Sequence, residues 1–390
     1  MKRLAIISTH PIQYNAPLFK LLACSSLIKL KVFYTWSQAE HGNLFDPGFG
    51  MERKWDIPLL EGYEYEFVNN SAKSPGSHHY RGIINPNLIK LIEKYNPSVI
   101  LVYGWNFKSH LQVMRHFKGK IPVWFRGDST LLDNKPGFNI KKIIRRIGLK
   151  WVYGHIDKAL FVGTANKEYF LKHGLRKSQL ELVPHVVDNN RFAEPNDYYE
   201  NEAILWRSRL GISKSDFVFL FAGKLEEKKN PEMLIRAFEK IDLSNTHLVI
   251  AGNGKLEVSL KAKYGNIKNI HFVDFQNQTW MPILYRLAEV FVLPSAGPGE
   301  TWGLAVNEAM ACKKAILVSN KSGCAMDLID NGVNGFTFQS NDFSDLVSKM
   351  NLMCENASQI QKMGMESMIK IQKFNQQVIA KSIENLVLDL

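Results

Sequence analysis

Short apolar runs recur along the chain with amphipathic stretches between them: Leu4 to Ser8, Ile28 to Thr35, Val99 to Tyr103, Ile121 to Phe125 and Ala159 to Val162. Most lead into a helical pattern, as at Leu88 to Tyr95. That alternation predicts a parallel sheet with helices on its faces. The pattern pauses at Pro184 to Asn196 and resumes as a second series: Phe217 to Ala222, His247 to Ala251, Ile270 to Asp274, Val290 to Leu293, Ala315 to Ser319 and Phe336 to Phe338. Val378, Ile379, Ile383, Leu386 and Val387 then fall at helical spacing, so Asn375 to Leu388 is one more amphipathic helix. The chain therefore divides into α/β halves at 1–195 and 196–372, with a closing helix in 373–390. The stretch from His41 to Ser77 is poorly periodic, with Gly42, Gly48, Gly50, Pro58, Pro75 and Gly76, and is where a binding loop would sit.

Composition agrees with two domains of ordinary size: 390 residues, 45% of them hydrophobic, are more than one core normally holds. No apolar run approaches the roughly 18 residues of a membrane span. The start, Met1-Lys2-Arg3 and Leu4 to Ile7, meets Ser8, Thr9, His10 and Pro11 before a secretory apolar region forms, so a cytoplasmic protein is expected. Cys24, Cys312, Cys324 and Cys354 show no metal-ligand spacing and are expected in the core of a protein from a reducing compartment. Lys and Arg number 49 against 37 Asp and Glu, a net +12, which favours anionic partners without choosing among them.

In open parallel sheets ligands collect beyond the carboxyl ends of the strands. After Phe217 to Ala222 comes Gly223-Lys224-Leu225-Glu226-Glu227-Lys228-Lys229-Asn230-Pro231. Asn230 and Pro231 read as N-cap and first helical residue, which places Lys224 and Lys229 on a strand-to-helix loop. Such cations either clamp a diphosphate or are simply solvated. After Val290 to Leu293 comes Pro294-Ser295-Ala296-Gly297-Pro298-Gly299-Glu300-Thr301-Trp302-Gly303-Leu304, and Gly303 to Ala311 has good helix formers. A helix N-terminus behind small residues offers N–H groups and a positive dipole end to an anion. Glu308, one turn past Leu304, can accept hydrogen bonds from sugar hydroxyls.

These residues resemble a family. Glu300 to Glu308 is similar to the E-x7-E motif of the retaining group 1 (GT4) glycosyltransferases of the GT-B fold, bacterial polysaccharide-locus type. Gly223-Lys224-Leu225 with Lys229 resembles their Gly-Arg-Leu and following Lys. Val183-Pro184-His185-Val186-Val187-Asp188 with Phe192 resembles their linker signature, and Ile250-Ala251-Gly252-Asn253-Gly254 and Asp330 to Phe336 fit as well. The resemblance is dense over 183–340 and thinner in the N-terminal half, at Ser8 to Phe19 and Trp55 to Phe67. It implies two Rossmann-like domains facing each other across a cleft, the first binding an acceptor and the second a nucleotide sugar, with the last helix returning to the first domain. By position it implies that Lys224 and Lys229 hold the donor diphosphate with the backbone of Gly303 and Leu304, that Glu308 binds the ribose, and that Glu300 positions the donor sugar. Gly223, Asn253, Phe275 and Thr301 complete the donor side, with His271 to Gln278 near the nucleobase.

Several positions depart from the family pattern. Lys224 replaces the usual Arg, a point charge in place of a bidentate fork. Cys312-Lys313-Lys314-Ala315 replaces Cys-Gly-x-Pro. Where many members carry a His after an N-terminal strand, this chain has Phe125-Arg126-Gly127-Asp128. Arg126 and Asp128 either take part of that role or form a buried ion pair. His10, Gln13, Tyr14 and Trp105 are the remaining acceptor-side candidates, with core packing the other reading for Trp105. No Asp-x-Asp triplet occurs, so no metal, and no cofactor beyond the nucleotide-sugar substrate, is expected. The expected acceptor is a polysaccharide or lipid-linked oligosaccharide. Lys141 to Tyr153 reads as a basic amphipathic helix that either lies on anionic lipid or packs Ile143, Ile147 and Trp151 on the sheet. Two other functions fit part of the pattern. A nucleotide-sugar 2-epimerase shares the architecture but needs acid/base residues at the sugar C2. A nucleic-acid-binding protein is supported by charge alone and lacks a reading module, so no nucleic-acid partner is expected.

Overall fold

Runs that are apolar at every position become strands buried on both faces. Phe217–Ala222, Val290–Leu293 and Ala315–Ser319 keep the bounds that the sequence predicts. The computed structural model describes residues 1–39, 44–46, 51–53, 55–134, 137, 139–195, 197–241 and 245–390. Positions 41–43, 47–50 and 54 of the glycine-rich stretch expected to form a binding loop lie outside the described residues.

The strands in chain order are β1 (Lys2–Ser8), β2 (Ile28–Tyr34), β3 (Leu44–Asp46), β4 (Met51–Arg53), β5 (Glu64–Phe67), β6 (Val99–Tyr103), β7 (Val123–Arg126), β8 (Lys158–Phe161) and β9 (Leu180–Leu182), then β10 (Phe217–Ala222), β11 (Thr246–Ala251), β12 (Ile270–Val273), β13 (Val290–Leu293), β14 (Ala315–Ser319) and β15 (Gly335–Phe338). One sheet has the order β5-β2-β1-β6-β7-β8-β9, a second β12-β11-β10-β13-β14-β15, and β3 pairs with β4. The neighbours in both large sheets run parallel. Each order turns back on itself once, between β1 and β6 and between β10 and β13. That is the doubly wound arrangement, and its ligand crevice opens at the reversal.

Each sheet has its own core, one around Ile7, Val102 and Phe125 and one around Phe219, Val292 and Leu317. The chain forms two compact units, residues 1–44, 57–185 and 376–390 in the first and 45–56 with 186–375 in the second. The first division therefore falls ten residues earlier than the 195/196 boundary read from the sequence. The reason is local: Val187 bridges to Asn375, and the Asn189 amide donates to the Ile371 and Phe374 carbonyls at 2.9 and 3.0 Å, tying 186–195 to the second unit. The closing helix, Gln376–Leu388, buries Ile379, Ile383 and Val387 and lies against the Ala16–Ala23 helix of the first unit. Among the cysteines Cys312 and Cys324 are buried, whereas Cys24 is exposed behind the Ala16–Ala23 helix, contrary to its expected place in the core. No helix among the described residues is long and apolar enough to cross a membrane.

Candidate functional site

The second sheet reverses between β10 and β13, where Phe219 is in register with Val290. Two loops that are far apart in sequence therefore leave the same edge side by side. The β10 loop makes a 3-10 turn at Glu227–Lys229 before the Pro231–Phe238 helix. Asn230 holds the N-cap position with φ 54°, but its amide donates to Met233 Sδ and Asn341 Oδ1 instead of capping the helix. The β13 loop runs to Gly303, whose φ of +105° suits glycine, and there the Leu304–Ala311 helix begins. A Cβ at Gly303 would lie 2.8 Å from Leu293 Cδ2.

The loops meet through charge. The Lys229 ammonium donates to Glu300 Oε2, and Ser295 Oγ donates to the same oxygen at 2.9 Å. Glu300 is buried at 8% exposure, so its carboxylate is held by these donors away from bulk water. One helical turn into Leu304–Ala311, Glu308 is buried at 2% and accepts from the Tyr285 hydroxyl at 2.7 Å. Trp302 Nε1 donates to Asn307 Oδ1 at 2.9 Å, pinning the loop to the helix. Thr301 and Leu304 are half-buried beside them, and Gly323 crosses Thr301 so closely that a Cβ would sit 1.8 Å from its carbonyl.

Lys224 is half-buried in the same β10 loop. Gly223 donates to the Ala251 carbonyl at 3.0 Å and Leu225 to the Asn253 carbonyl at 3.0 Å. Gly252, with φ +131°, passes so near that a Cβ would lie 2.0 Å from the Gly223 oxygen. Asn253 Oδ1 accepts from the Phe275 backbone N–H, so the loops after β10, β11 and β12 are tied together. In the Phe275 loop, Arg191 donates to the Gln278 carbonyl and, at 2.7 Å, to its Oε1. Lys313, in the turn that departs from the family's Gly, has φ 59°, the left-handed region that glycine occupies at no cost.

The acceptor-side candidates lie on the first unit's carboxyl edge. His10 follows β1, bonds Thr9 Oγ1 at 2.9 Å and meets the Trp36 ring edge-on at 5.4 Å, and burial lowers its pKa to about 4. Gln13 and Tyr14 are half-buried in the turn before the Ala16–Ala23 helix. Trp105 packs against the first core. Arg126 is buried, and its guanidinium donates to the Val183 and Pro184 carbonyls at 2.5 and 3.0 Å. Asp128 is half-exposed, 3.9 Å from His185, whose pKa falls to about 3 through burial and the Arg126 charge, against the pull of Asp128. The short hydrogen bonds of Arg126 thus go to backbone carbonyls, where the sequence allowed an ion pair with Asp128. Sequence reasoning missed Ser295, Tyr285 and Trp36; Tyr285, on a different helix from the carboxylate it holds, leaves no signal in the sequence. His110, which follows the strand ending at Tyr103, is fully buried between Thr35 Oγ1 (2.8 Å) and the Tyr103 and Gly104 carbonyls, with a pKa lowered to about 4 by burial.

Two doubly wound parallel sheets of this order define the GT-B class, and solved structures of that class match over the whole chain. The UDP complex of HepE from Anabaena superposes with a TM-score of 0.73 at 16% identity, covering 100% of both chains. The lipopolysaccharide outer core galactosyltransferase WaaB matches at 0.68 and 15%, covering 99% of each. Residues 203–368 match the family model described as glycosyl transferases group 1, so that stretch carries a domain similar to the group 1 glycosyltransferases. Among curated relatives, the UDP-Gal:alpha-D-GlcNAc-diphosphoundecaprenol alpha-1,3-galactosyltransferase of Escherichia coli is 27% identical over 60% of this chain and 62% of its own length. The N,N'-diacetylbacillosaminyl-diphospho-undecaprenol alpha-1,3-N-acetylgalactosaminyltransferase of Campylobacter jejuni is 24% identical over 58% and 59%. The chain thus spans about three-fifths of the length of these two relatives.

Proposed function

We propose that this protein transfers a sugar from a nucleoside-diphosphate sugar to a glycan or lipid-diphosphate-linked acceptor, retaining the anomeric configuration and using no divalent ion at the donor diphosphate. The observation that carries the reading is the Lys229–Glu300 pair at the reversal of the second sheet, beside the N-terminus of the Leu304–Ala311 helix. As the bond from the anomeric carbon to the diphosphate breaks, negative charge grows on the leaving phosphate. Fixed ammonium groups and helix N–H groups stabilise that charge more in the transition state than in the ground state. Lys224 and Lys229 supply the ammonium groups, with the backbone of Gly303 and Leu304. Glu300 exchanges its Lys229 partner for a donor-sugar hydroxyl, and Glu308, oriented by Tyr285, receives the ribose hydroxyls. Gly223, Thr301, Asn253 and Phe275 shape the walls. The acceptor hydroxyl attacks from the face the diphosphate leaves, so no carboxylate nucleophile is needed. His10, Gln13, Tyr14, Trp105, Arg126 and Asp128 are assigned to the acceptor side. The relatives' names, with a UDP-sugar donor in one and undecaprenol-linked acceptors in both, support the two substrate classes.

The test is sugar transfer with identified donor and acceptor. Lys229→Ala and Glu308→Ala are each expected to lower turnover by at least about 100-fold, the product to keep the donor's anomeric configuration by NMR, and EDTA to leave the rate unchanged. Near wild-type turnover in both variants overturns the site. Loss of activity in EDTA, restored by Mg²⁺, overturns the metal-free route.

A further inference from the structure

We infer that the Ile140–Tyr153 helix seats the first unit on an anionic lipid surface. This helix touches the protein along one side only, where Leu149, Val152 and Tyr153 are buried at 3% exposure. Its other large apolar residues face water: Ile140 at 62%, Ile143 at 42%, Ile144 at 64%, Ile147 at 66% and Trp151 at 50%. The alternative drawn from the sequence, in which Ile143, Ile147 and Trp151 pack on the sheet, is thereby excluded.

The five exposed residues are not scattered. At 3.6 residues per turn they fall within about 100° of the helix circumference, diametrically opposite the buried side. Scattered surface apolar residues are ordinary, whereas a continuous stripe on one helix marks a contact surface. The rest of the helix is cationic. Lys141 and Arg145 flank the stripe on one side, Arg146 and Lys150 on the other, and Lys142 adds a fifth charge, all exposed; no Asp or Glu occurs from 140 to 153. Neighbouring elements extend the field. The Arg115 guanidinium stands 5.5 Å from the centre of the Trp151 ring. Arg145, Arg146 and Lys172 lie close enough to His173 to reinforce the lowering of its pKa that burial begins.

An apolar stripe between two cationic margins matches the layering of a membrane face, with acyl chains beneath and phosphates beside. A nucleic acid would satisfy the cations but leave four isoleucines against a charged backbone. A second copy of the chain would cover the isoleucines but oppose five positive charges to five more.

The experiment uses the full chain without donor or acceptor, so its outcome is independent of the transfer reaction. Binding is measured by co-sedimentation with vesicles of phosphatidylcholine containing about 30 mol% phosphatidylglycerol, with pure phosphatidylcholine as the comparison. Partitioning onto the anionic vesicles is expected to be at least about tenfold stronger and to weaken with salt. Ile144→Asp/Ile147→Asp and Lys141→Gln/Arg146→Gln are each expected to reduce it at least about tenfold, the first by removing apolar insertion and the second by removing charge. These side chains are exposed, so both variants are expected to melt like the parent. Equal binding to neutral vesicles, or either variant partitioning like the parent, overturns the proposal. So does a dimer in sedimentation velocity that the double Ile variant converts to monomer, which would assign the stripe to self-association.

Discussion

At the carboxyl edge of the first sheet two buried polar side chains bond to the unit's own polar atoms: His110 to Thr35 and two carbonyls, and Arg126 to the Val183 and Pro184 carbonyls. At the same edge of the second sheet a cation and a carboxylate from different loops meet beside a helix N-terminus, with a second carboxylate held by Tyr285. The strand orders match through the first six strands of each sheet. What differs is the loop chemistry at the reversal, so a shared fold does not assign a shared task to its two copies.

That contrast is open to attack first through nucleotide affinity. Glu308→Ala is expected to weaken binding of the donor nucleotide by at least about tenfold in calorimetry, the loss of a hydrogen bond to a charged group. His10→Ala and Trp105→Ala are expected to leave it within about twofold; a large loss from either first-unit variant would break the comparison.

The glycines provide a second contrast. Gly252→Ala drives a Cβ to 2.0 Å from a backbone oxygen in the second unit, whereas at Gly104 of the first (φ +73°) the nearest neighbour of a Cβ would be 3.6 Å away. Urea unfolding is expected to show a loss of at least about 2 kcal/mol for Gly252→Ala and about 1 kcal/mol for Gly104→Ala. Equal losses would mean that the loops after β10 and β11 yield more readily than their spacing implies.

Acid sharpens the comparison further. Burial holds His10 and His110 at about 4 and, with the Arg126 charge, His185 at about 3, all in the first unit, while the second unit has His271 at about 4, lowered by burial and then by His247. The unfolded chain takes up these protons near pH 6.5 and the folded chain does not, so stability is complete above about pH 6.5 and declines as pH falls toward 4. Hydrogen exchange from pH 7 to 5 is expected to lose more protection at Ile6 and Val102 than at Leu220 and Val292. Equal losses would remove the imidazole explanation. The smallest effect is a gain: Lys313→Gly relieves a left-handed backbone and is expected to raise unfolding stability by about 0.5–1 kcal/mol.

Much of this architecture was legible in the chain because a strand covered on both faces is apolar at every position, as in Phe217–Ala222. The edge strands Glu64–Phe67 and Leu180–Leu182 were missed for the converse reason, since Glu64 and Tyr65 are exposed and so is Leu182. Lys229, Glu300 and Glu308 stood out through spacing at strand ends. Ser295 and Tyr285 did not, because what orients a carboxylate is a matter of tertiary approach and leaves no period in the sequence. The Ile140–Tyr153 helix marks the same limit from the other side. Periodicity groups Ile143, Ile147 and Trp151 on one face but is silent on whether protein or water lies over it.

Lys229 and Glu300 are 71 positions apart and meet because β10 and β13 are hydrogen-bonded neighbours. During synthesis the chain must therefore hold β10 with an empty flank while β11 and β12 are made and laid on its other side. Until Leu293 and the loop beyond it emerge from the ribosome, the ammonium lacks its Glu300 partner. A nascent chain halted just before Val290 should already carry a three-stranded fragment and yet be unable to retain nucleotide.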